Sequence, residues 1–307
     1  MTNVRHLLSL RDLSVAEVTD IARRGTEIAA DPGVCGTPLR GRIVGVYFRV
    51  TSTRTRTAFS TAAMRLGAQV MPYGPADLQL NTGETVADTA RVLSGMLDGL
   101  VARTAGPFDE LRTLAGQKDM AVVNAMNEDE HPTQALADLT TLLTRFPSLD
   151  GVRVLYVGEG NNTAVALARS LPLFRGAELE LRTPPGYGLD PAVLAEARGL
   201  AEAHGSRVVE RHDMHGLPAR VDAVYTTRWQ TTGTSKADPE WREVFSLFTV
   251  DTDLMGRYPD AVFLHDLPAH RGDEVTAEVL DGPSSIAFEQ AQNKLHSAMA
   301  VLEWCLS

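Results

Sequence analysis

The sequence predicts an α/β protein of two doubly wound parallel-sheet domains, with the active site in the cleft between them. Three observations carry that expectation. Short apolar runs alternate with stretches of helical periodicity, the pattern of parallel strands joined by covering helices. The chain has 307 residues, 44% of them hydrophobic, enough for two cores. The break "PSLDG" at 147–151 interrupts the alternation, which then restarts.

The first helix opens at Ser14, where Ser14 and Glu17 form a capping box. Strands are expected at "IVGVYF" (43–48), "QVMPYG" (69–74), "GLVART" (99–104) and "AVVNAM" (121–126). Helical periodicity separates them, as in "ETVADTARVLSGML" (84–97), and "HPTQALADLTTLLTRF" (131–146) reads as one long helix. The second series runs through "RVLYVGEG" (153–160), "AELELRTP" (177–184), "RVVERHD" (207–213), "DAVYTTRW" (222–229) and "AVFLHD" (261–266). A C-terminal helix closes the chain. The expected domains are 1–147, completed by that helix at about 286–307, and 148–285.

Net charge is −10, from 29 basic and 39 acidic residues, which argues against a nucleic-acid partner and for a small substrate. The two cysteines, Cys35 and Cys305, show no disulfide framework or metal-ligand spacing. No apolar run reaches the roughly 18 residues a membrane span needs. The expectation is a cytoplasmic protein with no membrane partner.

One stretch does not fit a core. "STRTRT" (52–57) follows the strand "GVYF" and precedes a helix. Ligands of α/β sheets bind beyond the carboxyl ends of strands. Helix N-termini offer unpaired N–H groups and a dipole that favours anions. Ser52, Thr53 and Thr55 add hydroxyl donors, and Arg54 supplies a two-pronged phosphate grip. Arg54 and Arg56 point to different sides of a helix, so one of them faces the ligand. The bland alternative is a solvated helix start. The Walker pattern is absent, and "VGEGNNT" has Thr163 where a dinucleotide fingerprint needs its third glycine.

"STRTR", "DTARVL" (88–93), "HPTQALADL" (131–139), "GEGNN" (158–162) and "HDLPAHRGDEVTAEVLDGP" (265–283) occur in the order found in the aspartate and ornithine carbamoyltransferases, which this chain resembles over essentially its whole length. "GNN" and "LPAHRGDEVTAEVLDGP" lean to the ornithine side. The resemblance implies transfer of a carbamoyl group from carbamoyl phosphate to an amine of ornithine or a related amino acid. It implies a homotrimer with shared active sites, in which the loop at 75–84 reaches a neighbour. The reaction needs no metal or organic cofactor.

By that resemblance Ser52, Thr53, Arg54 and Thr55 bind phosphate. Arg103 and His131 reach the phosphate or carbonyl oxygen, Gln134 holds the carbamoyl amide, and Leu267 offers its backbone carbonyl. His131 and Gln134 are spaced to share one helix face. Lys294 stands where the ornithine enzymes carry arginine, and lysine keeps the charge without the fork. Phe48-Arg49-Val50 replaces their Phe-Glu-Lys.

The amino-substrate side is mixed. Asn162 matches the ornithine-side asparagine. Thr227 stands for the ornithine-binding aspartate of D-T-W-x-S-M-G, and Thr231 and Thr232 for its Ser and Met. "YTTRWQ" resembles the aspartate enzymes' Y-x-T-R-x-Q, which makes Arg228 and Gln230 carboxylate binders, against the alternative of a solvent-facing strand end. Asp266 replaces the cysteine of "HCLP". Its carboxylate pairs with the acceptor's ammonium, accepts a proton from the attacking amine, or is a structural partner of Arg271 or His270. Ornithine is the default acceptor. A shorter diamino acid such as 2,3-diaminopropionate is the first alternative, and aspartate the second. Two further alternatives are a phosphate-binding paralogue without activity, motivated by Val50, Asp266 and Lys294, and a dehydrogenase resting on "VGEGNN" alone.

Overall fold

A computed structural model describes residues 4–230 and 235–307. Thr231 and Thr232 therefore lie outside the described residues. Packing divides the chain into two units, one of Met1–Thr141 with Gln292–Ser307 and one of Leu142–Ala291.

In the first unit four parallel strands, β1 (Ile43–Phe48), β2 (Gln69–Tyr73), β3 (Gly99–Arg103) and β4 (Ala121–Asn124), stand in the order β2-β1-β3-β4. The helices are α1 (Val15–Ala30), α2 (Arg54–Arg65), α3 (Val86–Ser94), α4 (Phe108–Ala115) and α5 (Pro132–Arg145). The Ser14 capping box opens α1 as its sequence demands. β3 and β4 are buried at every residue, the signature of a sheet covered on both faces. Pro72 sits in β2, an edge strand, where a missing N–H costs no ladder bond. One face packs Tyr47, Leu100 and Val122 against Leu93 and Leu97 of the α3 region and Leu111 of α4.

In the second unit β5 (Arg153–Val157), β6 (Glu178–Arg182), β7 (Arg207–Arg211), β8 (Ala223–Thr226) and β9 (Val262–His265) form a parallel sheet ordered β7-β6-β5-β8-β9. Its helices are α6 (Asn162–Ser170), α7 (Pro191–His204), α8 (Trp241–Ser246), α9 (Thr252–Gly256) and α10 (Ala277–Leu280), followed by α11 (Ala287–Leu306). The core joins Leu155, Val224 and Phe263 of the strands to Phe248, Val250 and Leu280. A separate cluster packs Trp229, Trp241 and Phe245, with Tyr187 against it. Into it reaches Lys236, whose Nζ lies 4.7 Å from the centres of the Tyr187 and Phe245 rings and pairs with Glu159.

Every apolar run read as a strand forms one, and two of the strands stop short of their runs at functionally suggestive places. β8 ends at Thr226 and leaves 227–230 as loop; β5 ends at Val157 and leaves 158–161. Both sheets reverse their strand order once, between β1 and β3 and between β5 and β8. Loops leaving such a pair diverge to opposite faces and open a crevice. Among the described residues no helix is long and apolar enough to cross a membrane.

Candidate active site

In the first unit, the crevice at the β1/β3 reversal receives the loop after β1 and the end of β3. Phe48 and Arg103 are direct partners in the ladder, so Ser52–Thr55 and Arg103 leave the sheet side by side. The helix expected after "STRTRT" begins inside it, at Arg54. Arg54, Thr55 and Arg56 thus form the first turn, where N–H groups point outward. Thr53, at the N-cap, makes no side-chain capping bond. Arg56 is exposed and Thr55 buried, with Arg54 half-buried, the division that helical geometry requires. Arg49 does not join this group: it pairs with Glu110 and donates to the Tyr47 hydroxyl at 3.2 Å.

The turn before α5 is held rigidly. Buried Glu130 accepts from Ser9 Oγ at 2.6 Å and the Leu10 N–H at 2.9 Å, and its own N–H donates to Asn127 Oδ1 at 3.1 Å. Met126 takes φ 128° and Ala105 φ 49°, conformations that cost side-chain-bearing residues roughly 1–3 kcal/mol each and cluster at functional sites. His131, at the end of this turn, is buried, with its Nδ1 3.3 Å from Thr133 Oγ1. Burial, then the charges of Arg103 and Lys294, push its pKa well below the usual histidine value. It is a neutral imidazole between two cations.

Gln134 has both ends of its amide engaged. Its Nε2 donates to Asp138 Oδ1 at 2.7 Å, and its Oε1 accepts from Lys294 Nζ. Thr55, His131, Gln134 and Lys294 line one small pocket with Phe59 and Ala298. The expected phosphate-side residues Thr55, His131, Gln134 and Lys294 are thus brought together, with Arg103 close enough to depress His131. Asp138 was not among the expected residues. Its spacing four residues after Gln134 was the available signal.

In the second unit, the crevice at the β5/β8 reversal receives 158–162 from β5 and 227–230 from β8. Asn161 caps α6, accepting from the N–H groups of Thr163 at 3.0 Å and Ala164 at 3.2 Å. Asn162, the first residue of α6, is buried. Gly160 packs against Gly188 so closely that a Cβ would sit 2.4 Å from its carbonyl carbon, which explains the glycine. Thr227 is buried, and Arg228 and Gln230 are half-buried on either side of the buried Trp229.

Asp266 follows β9, whose register sets His265 beside Thr226. Its Oδ1 accepts from Thr227 Oγ1 at 2.9 Å and its Oδ2 from Thr163 Oγ1 at 3.0 Å. The structural alternative for Asp266 is corrected here. Arg271 pairs with Asp281, and His270 lies against Asp273, so neither serves Asp266. Thr163 was read only as a missing glycine; no spacing rule connects it to a residue 103 positions away. Leu267 sits at φ 52°, its N–H donating to His265 Nδ1 at 2.8 Å. His265 and Glu274, which hold it, were also absent from the expected set.

The comparisons with known proteins agree over the full chain. Residues 5–144 match the carbamoyl-P binding domain of aspartate/ornithine carbamoyltransferase, and residues 150–305 its Asp/Orn binding domain. An ornithine carbamoyltransferase of Acidothermus cellulolyticus is 41% identical over 305 residues, covering 99% of this chain and 97% of the relative. One from Methanothermobacter thermautotrophicus is 37% identical, covering 99% of each. The solved structure of ornithine carbamoyltransferase from Pyrococcus furiosus superposes with a TM-score of 0.92 at 36% identity, covering 99% of this chain and 97% of that one. The anabolic ornithine carbamoyltransferase of Campylobacter jejuni gives 0.89 at 30% identity, covering 98% of each. The chain belongs to the aspartate/ornithine carbamoyltransferase family.

Proposed function

We propose that this member of the family transfers the carbamoyl group of carbamoyl phosphate to the side-chain amine of ornithine, releasing inorganic phosphate. The observation that carries the reading is the convergence of donors in the first unit: an uncapped helix N-terminus bearing Arg54 and Thr55, beside Arg103, with a buried neutral imidazole and Lys294 lining one pocket. Full-length identity of 37–41% to ornithine carbamoyltransferases supports ornithine as acceptor.

The neutral amine attacks the carbonyl carbon, and a C–N bond forms. The carbonyl oxygen gains charge, the C–O bond to phosphate breaks, and phosphate leaves with the electron pair. The proton lost by the nitrogen goes to phosphate or water. Ser52, Thr53, Arg54 and Thr55 hold the phosphate, and Arg103 follows its growing charge. His131, uncharged, serves as a hydrogen-bond donor to the carbonyl oxygen. A positioned donor of this kind is worth about 2.7–4 kcal/mol where charge develops. Gln134, oriented by Asp138 and Lys294, meets the carbamoyl amide. Asn162, Arg228 and Gln230 bind the acceptor's amino-acid head, with Thr227 beside them. Holding both reactants in attack geometry supplies much of the remaining acceleration.

Two broader features complete the proposal. The enzyme works as a homotrimer, with 75–84 reaching a neighbour; light scattering on an active preparation reads a trimer mass, and a monomer mass removes the idea. It is cytoplasmic, a setting that suits its two free cysteines. The deciding assay incubates the protein with carbamoyl phosphate and a panel of ornithine, 2,4-diaminobutyrate, 2,3-diaminopropionate and aspartate. Citrulline and phosphate in equal amounts are expected. Carbamoylation of another member in preference to ornithine, or of none, overturns the assignment.

A further inference from the structure

Asp266 is a carboxylate in an unusual setting. Its side chain is only 15% exposed, yet among the described residues no cation pairs with it. The nearest basic group is His265, whose Nδ1 lies 3.5 Å from Oδ1. That nitrogen has no proton to offer Asp266. The Leu267 N–H can only donate, so Nδ1, which it meets at 2.8 Å, must be a bare acceptor. The ring's proton is then on Nε2, 3.0 Å from Glu274 Oε1. Asp266 therefore faces a nitrogen lone pair on one side. Its remaining contacts are two buried threonine hydroxyls, Thr227 on Oδ1 and Thr163 on Oδ2.

Two hydroxyls fix the plane of a carboxylate without cancelling its charge. Each oxygen keeps a further lone pair. The residues that hold it come from three places: the loop after β8, the first turn of α6 and the end of β9. All three lie at the carboxyl ends of strands around the β5/β8 reversal, where ligands of such sheets bind. The α6 dipole favours an anion near Thr163, but Asn161 already caps that helix.

We infer that Asp266, aligned by Thr163 and Thr227, is the counter-ion of the acceptor's second, non-reacting ammonium, and that it restricts acceptors to diamino acids. The inference rests on the carbamoyl-transfer reading above. An attacking amine must be neutral, so a fixed carboxylate serves the other nitrogen, which stays protonated. With ornithine carbamoylated on its side chain, that nitrogen is the α-ammonium. Aspartate has no second ammonium and brings two carboxylates, which Asp266 repels.

The test uses two probes that separate the nitrogens. L-2-Aminopentanoate has the α-ammonium and carboxylate but no side-chain amine. 5-Aminopentanoate has the side-chain amine and carboxylate but no α-ammonium. In Asp266→Asn, the ornithine KM and the Kd of 2-aminopentanoate are expected to rise by about 30-fold or more, the loss typical of breaking a buried charge pair. The Kd of 5-aminopentanoate, the KM for carbamoyl phosphate and kcat at saturating ornithine are expected to stay within about threefold, because they do not involve that pair. An unchanged ornithine KM, equal loss for both probes, or a fall in kcat alone overturns the inference; the last makes Asp266 a proton acceptor instead. If Asp266→Asn does not fold, Thr227→Val keeps the charge and loosens its alignment. The same pattern at about fivefold, smaller because the charge itself stays, is then expected, and its absence is decisive against the idea. Calorimetric binding of 2-aminopentanoate in the presence of phosphate needs no turnover. It reads the role of Asp266 even if the wild type carbamoylates nothing on the panel, so the two readings fail separately.

Discussion

The crevices of the two sheets occupy the same place in their topology and are furnished in opposite ways. At the β1/β3 reversal the chain presents cations and donors: the first turn of α2, Arg54 and Arg103, with His131 held neutral between Arg103 and Lys294. At the β5/β8 reversal it presents a buried carboxylate, threonine hydroxyls and asparagines, with Arg228 beside them. By the resemblance, the first set departs from the family pattern at Lys294 alone, whereas the second departs at Thr227, Thr231, Thr232 and Asp266. The difference follows from what is bound. A phosphate on an unstable mixed anhydride needs many donors at fixed positions, and few substitutes exist for a helix terminus with an arginine fork. An amino-acid head is recognised by a few separable contacts, and an anion supplied from one strand end can be supplied from its neighbour.

The sharpest way to break this comparison is at Arg54. Arg54→Ala should lower kcat/KM for carbamoyl phosphate by about 10²- to 10³-fold, a loss of about 3–4 kcal/mol, since a bound dianion loses its charge partner. Its affinity for 2-aminopentanoate should hardly change. Wild-type turnover at limiting carbamoyl phosphate would show that the cationic crevice is not the phosphate site.

Lys236→Met probes the acceptor unit from the other side. It leaves Glu159 buried without its partner; burial already raises the Glu159 carboxyl pKa, and Lys236 opposes that rise. The expected cost is about 3 kcal/mol of stability, read by urea unfolding, with the KM for carbamoyl phosphate unchanged in the folded enzyme. A loss at the phosphate site instead would mean that the two crevices are not independent.

Lys294→Met removes the cation that holds Gln134 Oε1. A rise of about tenfold in the KM for carbamoyl phosphate is expected, the worth of one charged hydrogen bond, and Lys294→Arg should recover most of it. No change would make Lys294 a structural neighbour of the site.

The smallest effect concerns His131 and acid. Its folded pKa lies well below the ordinary 6.5, so below about pH 6.5 the unfolded chain binds a proton that the folded chain refuses. Stability therefore rises with pH up to that value and is level above it. His131→Gln should flatten part of the fall in Tm between pH 7 and pH 5. His6 and His296, also lowered by burial, keep the rest. An unaltered slope would place a charged imidazole at 131 and remove the neutral donor from the mechanism.

Much of this molecule was legible in one dimension. Runs such as "IVGVYF" and "RVLYVGEG" announced strands because central parallel strands are buried on both faces and read as continuous apolar text. "STRTRT" announced a helix start crowded with donors because those donors are consecutive residues, assembled by one helical turn. Gln134 and Asp138 fall on neighbouring turns of one helix, with His131 just before its start, for the same local reason. Where partners lie within about four residues, spacing alone states the contact.

The partners of Asp266 were not legible, because Thr227 and Thr163 lie 39 and 103 positions away and meet it only where three strand ends converge. Likewise Lys294 reaches Gln134 across 160 positions, through a helix that packs back on its own unit. The sequence determined two parallel sheets and a donor-rich helix start by itself, since periodicity and helix-terminus chemistry act over a few residues. Only the tertiary structure decided that burial, Arg103 and Lys294 hold the His131 pKa down, and that two threonine hydroxyls and, among the described residues, no Lys or Arg hold Asp266. Charge state depends on burial and on the nearest groups in space, and those are set by strand order and register rather than by sequence neighbours.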